Sequence, residues 1–132
     1  MTLDEINEIR EEASDRLEGP EGFREWIEDQ EPGSVVGHSR TCGGCPLAMY
    51  LSETLDVDLR VDGVYVSLDL WGAVGPCVRL DLFKLEGVGW PVRFLSCVDS
   101  NPSGQHHCEV PVTRETALEC LAQACAALEV TP

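Results

Sequence analysis

Lysine is nearly absent from this sequence. Lys84 is the single lysine among nine basic residues, against 24 acidic ones, and the formal net charge is −15 at pH 7. A chain this acidic is repelled by the nucleic-acid backbone, so we expect no direct nucleic-acid binding and a positively charged protein as partner. The same acidity also keeps small proteins soluble and is typical of proteins from high-salt organisms, so charge alone does not establish an interaction.

Long apolar runs and familiar catalytic motifs are also missing. No apolar stretch approaches the roughly 18 residues of a membrane-spanning helix. The N-terminal MTLDEINEIREEASDRLEG lacks the basic start and apolar middle of a secretory signal, so we expect a cytoplasmic location and no membrane partner. Phosphate-binding glycine loops and a G-x-S-x-G nucleophile motif are absent, which favours a non-enzymatic protein.

The size and hydrophobic content predict one domain over residues 1–132, but the charge is uneven. Residues 1–32 hold twelve acids and three arginines, a net of −9, whereas residues 33–132 hold twelve acids and six bases, a net of −6. We therefore predict that residues 1–32 form an acidic helical arm, docked on a core made by residues 33–132.

Two helices are predicted in this arm. Thr2 and Glu5 form a capping-box pattern, followed by apolar residues every three or four positions. Pro20 suits the start of a second helix with an apolar stripe. The acids fall mostly off both stripes and should form an anionic surface. The predicted partner-binding residues are Glu8, Glu11, Glu12, Asp15, Glu18, Glu25, Glu28 and Asp29.

The core sequence predicts an α+β fold with a small antiparallel sheet. Alternating apolar residues predict a hairpin over residues 57–70, with Asp62-Gly63 as a type I′ turn, and a third strand near residues 78–83. Helices are predicted to begin at Pro46, near Trp90 and after Thr113. The sheet should be packed by the N-terminal, CPLA and C-terminal helices. The predicted inner face of the last helix is Leu118, Leu121, Ala122, Cys125 and Leu128.

Three short motifs resemble a group of small uncharacterised proteins of actinobacteria, related bacteria and their phages. The motifs are CPLAMYL, WPVRFLSCVD and VTRETALECL, within roughly residues 42–125. The resemblance implies an architecture but no activity. The cysteine shared by the group corresponds to Cys45, whereas Cys42 and the acidic arm depart from its pattern.

The CGGC motif, residues 42–45, has three possible roles. As a redox pair, Cys42 would be the nucleophile and Cys45 the resolving thiol, although a hairpin directly after this helix does not fit a thioredoxin-like fold. As a structural zinc site, Cys42 and Cys45 would be joined by His107 and Cys108, or by His38. As a purely structural motif, Cys45 would be a buried residue at a helix start. We favour this third role and no cofactor.

The other cysteines do not indicate a catalytic or metal-binding site. The chain has seven cysteines, an odd number that excludes complete internal pairing. Cys97, Cys120 and Cys125 lie among apolar residues and are interpreted as core residues. The sequence thus favours a non-enzymatic acidic interaction module that binds a basic partner surface, and by analogy with phage anti-CRISPR proteins we hypothesise a nucleic-acid mimic. The alternative is a thiol–disulfide oxidoreductase that uses Cys42 and Cys45.

Overall fold

The computed structural model describes residues 2–39, 43–62, 64–70, 78–87, 89–99 and 110–129, with side chains to residue 126. Within these ranges the chain forms five helices: α1 (Leu3–Arg16), α2 (Glu21–Glu28), α3 (Pro46–Leu55), α4 (Trp90–Asp99) and α5 (Arg114–Glu129). The strands in the same ranges are β1 (Val35–His38), β2 (Leu59–Val61), β3 (Tyr65–Leu70), β4 (Val78–Lys84) and β5 (Pro111–Thr113). The predicted α+β class is confirmed. No described helix is long and apolar enough to cross a membrane.

The helix starts follow the capping chemistry of the sequence. The Thr2 hydroxyl accepts the Glu5 N–H at 3.2 Å at the start of α1. Pro46 occupies the first turn of α3, where its missing N–H leaves no donor unpaired. Thr113 accepts the Thr116 N–H at 3.3 Å before α5. These contacts explain why the helix starts were predictable from local sequence.

The strands of the described residues form two antiparallel sheets. The predicted three-stranded sheet has the order β2-β3-β4. A second sheet, which was not predicted as a pair, joins β1 to β5, with His38 opposite Pro111 and a register shift between Val35 and Gly37. The Ser39 N–H extends this pairing by donating to Val110 O at 2.9 Å. This second sheet connects the segment after the arm to the start of α5.

The predicted type I′ turn is wrong in its register. Val61 pairs with Val66, and the Asp62 N–H donates to Tyr65 O at 3.2 Å, so Asp62 precedes the turn. The Asp62 carboxylate accepts the N–H groups of Val64 and Tyr65 at 2.8 and 2.6 Å. An aspartate in this position stabilises the turn from its side chain, without the positive φ that a type I′ turn would require at Asp62.

The predicted inner face of α5 is also partly wrong. Ala122 is exposed, whereas the buried residues are Ala117, Cys120, Leu121 and Ala124. Three of these four buried side chains are small, and α4 packs against α5. Leu118 and Cys125 are half-buried, and the side chain of Leu128 lies outside the described residues.

An aromatic cluster lies where the arm meets the rest of the core. Phe23 of α2 is completely buried, and its ring centroid lies 5.0 Å from Phe94, 5.2 Å from Tyr50 and 5.9 Å from Trp90. The half-buried Trp26 ring stacks at 6.1 Å. Three separate helices thus contribute rings around one arm residue, and this contact fixes which side of α2 faces inward.

Gly37 should be intolerant of any side chain. A Cβ there would lie 2.7 Å from Pro46 N and 2.8 Å from Gly44 O, both backbone atoms that cannot rotate away. We expect Gly37→Ala to lower the free energy of unfolding by roughly 1–3 kcal/mol, as overpacking of a dense core does. Gly43→Ala is the matched control, because a Cβ at Gly43 meets nothing within 4 Å. Urea denaturation measures both variants, and equal midpoints would contradict this packing.

Candidate functional site

The predicted partner-binding acids are all on the outside of the arm. Every one of the twelve acids in residues 1–32, including the eight candidates, has an exposed side chain. On α1, positions three or four apart share a face, so Asp4, Glu8, Glu11 and Asp15 follow one line, with Glu12 beside it. The buried residue Ala13 faces the opposite side of the same helix. On α2, the acids likewise lie opposite the buried Phe23 and Ile27.

The arm's own arginines do not neutralise these acids. None of the twelve acids forms an ion pair with a described residue. Arg10 donates instead to the Leu82 carbonyl at 2.9 Å and to the Asn7 side chain at 2.8 Å. Arg24 reaches the Cys125 sulfur at 3.9 Å. Arg10 and Arg24 therefore connect the arm to the core, and neither is paired with an arm acid.

Hydrogen bonds to the start of α5 also hold the C-terminal end of the arm in place. The Glu115 carboxylate accepts the Gly33 N–H at 2.9 Å and contacts Arg114 at 3.2 Å. Desolvation raises the pKa of Glu115, but the bonds from Gly33 and Arg114 outweigh it, and the net shift is downward. The Arg114 guanidinium also donates to the Glu28 carbonyl at 3.2 Å, at the end of α2. Cations are favoured at a helix C-terminus, which helps to orient α2.

A groove runs along α1 beside β4, and its rim is largely acidic. Two adjoining cavities, of about 530 and 350 Å³, share Ser14, Asp15 and Phe83 in their walls. We call them together the α1–β4 groove. Apolar wall residues are Leu17, Phe83, Leu85, Trp90 and Pro91. Charged wall residues are Arg10, Glu11, Asp15, Glu18, Lys84 and Glu86. Acidic groups thus outnumber basic ones beside an apolar floor.

Sequence reasoning did not find this groove. Three of its acids, Glu11, Asp15 and Glu18, were among the candidates, but Phe83 and Glu86 were not. These residues come from the end of β4 and the segment behind it, and only the packing of α1 against β4 brings them together. No local spacing in the sequence signals such a juxtaposition.

Cys45 has a clear structural position. Its side chain is 3% exposed and its sulfur accepts the Ala48 N–H at 3.4 Å, as the N-cap of α3. The sulfur also approaches Val61 O at 3.8 Å. A buried cysteine at a helix start is what the structural role of Cys45, favoured from the sequence, requires. Cys42, the nucleophile of the redox alternative, lies outside the described residues.

Of the predicted zinc ligands, only His38 and Cys45 lie among the described residues. His107 and Cys108, like Cys42, lie outside the described residues, and His38 is a half-buried residue of β1. The His38 backbone N–H donates to Gly44 O at 2.7 Å, which places β1 beside the turn that precedes α3. In the described part of the chain, no three His, Cys, Asp or Glu side chains form a possible metal cluster.

The N-cap role of Cys45 gives a stability prediction. Cys45→Ala removes the sulfur that accepts the Ala48 N–H, and we expect a loss of about 1 kcal/mol in the free energy of unfolding. Cys45→Ser keeps an acceptor at the same position and should retain more stability than the alanine variant. Chemical denaturation of both variants checks the order, and an alanine variant at least as stable as the serine variant would show that the cap is unimportant.

Comparison with protein-family models, curated proteins and solved structures finds no match to this chain. The resemblance of its three motifs to small bacterial and phage proteins therefore stays a prediction.

Proposed function

We propose that this protein is a non-enzymatic interaction module whose acidic arm binds a positively charged surface of another protein. The observation that carries the proposal is the exposure of all twelve arm acids without an ion pair to a described residue. A basic partner would supply the missing counter-charges, and complementary charge would accelerate the encounter.

The charge spacing on α1 supports a nucleic-acid-like character. Six acids lie between Asp4 and Asp15, inclusive. With a rise of about 1.5 Å per residue, they span roughly 16 Å, or about one charge per 3 Å. A single DNA strand carries about one charge per 3.4 Å along the helix axis. A protein channel built for phosphates is thus a suitable partner, and occupying it would inhibit nucleic-acid binding, as some phage inhibitors of host defence do.

The α1–β4 groove gives the acidic surface a concave region with apolar wall residues. The half-buried Phe83 offers apolar contact beside the carboxylates of Asp15 and Glu18. Arginine and lysine side chains carry apolar stems as well as charged ends, so they suit a groove with an apolar floor and an acidic rim. Specificity for one basic partner over others could come from this groove, since net charge alone does not discriminate between partners.

Removing charge from the arm should weaken binding more than removing the same charge elsewhere. Three variants, each with two Glu→Gln changes, shift the net charge equally, from −15 to −13. They change Glu8 with Glu12 on α1, Glu25 with Glu28 on α2, or Glu53 with Glu119 as the control. At about 0.5 kcal/mol per exposed charge pair, each arm variant should bind about five-fold more weakly. The probe is a fluorescent arginine-rich peptide, measured by anisotropy.

The loss of binding should depend on where the charge is removed and on the salt concentration. The control variant should bind nearly as tightly as the unmodified protein, and high salt should abolish the differences because exposed charges are screened. If all three variants weaken binding equally, the acidity is a general property of the surface and the arm is not a binding site. Salt-insensitive binding would also contradict the proposal.

The oxidoreductase alternative rests on the place of the CGGC motif directly before α3, with Cys42 as the nucleophile and Cys45, the N-cap of that helix, as the resolving thiol. If this alternative is correct, the protein reduces insulin disulfides in the presence of dithiothreitol, and Cys42→Ser abolishes the acceleration. Cys125→Ser is the control, because it removes a thiol far from the CGGC motif in sequence. We expect no acceleration above dithiothreitol alone, and turnover that requires Cys42 would favour the enzyme instead.

A further inference from the structure

Two cysteines outside the acidic surface lie unusually close together. The Cys97 sulfur of α4 is 2.8 Å from the Cys120 sulfur of α5. Heavy atoms in ordinary van der Waals contact lie roughly 3.5–4.0 Å apart, whereas a disulfide bond is roughly 2.05 Å long. The two side chains therefore already face each other at a distance from which a bond requires only a small approach.

The packing of α4 on α5 produces this contact. Phe94 and Val98 are buried on α4, and Ala117 and Leu121 are buried on α5. Both cysteines thus lie on helices that pack against each other, and the fold keeps their sulfurs close together.

The two thiols differ in access. Cys97 is half-buried and lines an open cavity of about 420 Å³, together with Arg93, Ser96 and Gln123. Its sulfur also lies 3.4 Å from the Gln123 side-chain oxygen. Cys120 is 5% exposed. A small reagent can therefore reach Cys97 first, because Cys120 is almost completely buried.

The raised pKa of the buried Cys120 thiol also favours Cys97 as the first thiol to react. Burial, then the neighbouring Cys97 thiol and Glu119, raise the pKa of Cys120 to about 12. Because the thiolate is the nucleophile, Cys120 is a poor first attacker near neutral pH. Once Cys97 is in a mixed disulfide, its thiol no longer raises the pKa of Cys120, so Cys120 is better suited to the second step.

We propose that Cys97 and Cys120 are a redox-active pair that forms an intramolecular disulfide by exchange with a small-molecule disulfide. The Cys97 thiolate attacks one sulfur of the reagent, forms a mixed disulfide and releases one thiol. Cys120 loses its proton to solvent and attacks the Cys97 sulfur, which releases the second thiol. Two protein thiols are oxidised, and one reagent disulfide is reduced to two thiols. The inference is independent of the acidic arm.

The cross-link would join α4 to α5 and close the segment between residues 97 and 120 into a ring. Such a ring restricts the unfolded chain, so the oxidised protein should melt at a higher temperature, by roughly 5–15 °C. In the reduced protein, side-chain packing and the contact between Cys97 and Gln123 hold α4 against α5 without a bond between Cys97 and Cys120. The melting temperature therefore reports whether the pair has reacted.

The test treats the dilute full-length protein with oxidised glutathione and maps disulfide-linked peptides by fragmentation mass spectrometry. We expect a Cys97–Cys120 link, a higher melting temperature, and reversal of both by dithiothreitol. Cys125→Ser is the matched control, because it removes another α5 cysteine and should leave the link intact. Cys97→Ser and Cys120→Ala should each lose the link and the thermal shift.

Several results would overturn the proposal. They are links that join Cys97 to a different cysteine, only intermolecular dimers, or thiols that stay free under conditions that oxidise an unstructured dithiol peptide. The proposal would also be overturned if oxidised glutathione raised the melting temperature of Cys120→Ala as much as that of the unmodified protein. Should that variant fold poorly, the peptide map of the unmodified protein still decides, because it identifies the linked residues directly.

Discussion

Burial of the Phe23 ring is the contact on which the arrangement of the arm depends. This side chain has no exposed surface and is surrounded by rings from α3 and α4 as well as from its own helix. Truncating a buried phenylalanine typically costs roughly 3–5 kcal/mol, a large part of the stability of a small domain. The indole N–H of Trp90 also donates to Leu17 O at 3.0 Å, which holds the end of α1 beside the same cluster.

The direction of the acids follows from that burial. A helix with one face fixed in the core must present its opposite face to solvent, and the arm's acids occupy those opposite positions. Aromatic packing and acidic charge are therefore two aspects of one amphipathic pattern. This relation also explains why the arm tolerates a net charge of −9. Burial of its apolar stripes compensates for the repulsion between carboxylates that remain solvated.

Local patterns in the sequence predicted the helices well, because capping residues and apolar spacing act within a few positions. Thr2 and Pro46 fix helix starts by contacts inside their own first turns. The β1–β5 sheet was not predicted, since it joins strands more than seventy positions apart, one of them only three residues long. The approach of Cys97 to Cys120 was missed for a related reason. Each cysteine looks like an ordinary core residue until the packing of two helices brings them together.

The scarcity of cations connects the fold with the proposed interaction. The chain has nine basic residues, and several of the described arginines contact backbone carbonyls or neighbouring side chains. Arg10 binds the Leu82 carbonyl, Arg114 binds the Glu28 carbonyl, and Arg60 pairs with Asp69 at 2.7 Å on the sheet. These contacts hold elements of the fold together, and none of the three arginines forms an ion pair with an arm acid. An acidic surface whose counter-charges are committed elsewhere in the fold is open to a partner that brings its own, and this is the physical basis on which a basic protein surface would recognise it.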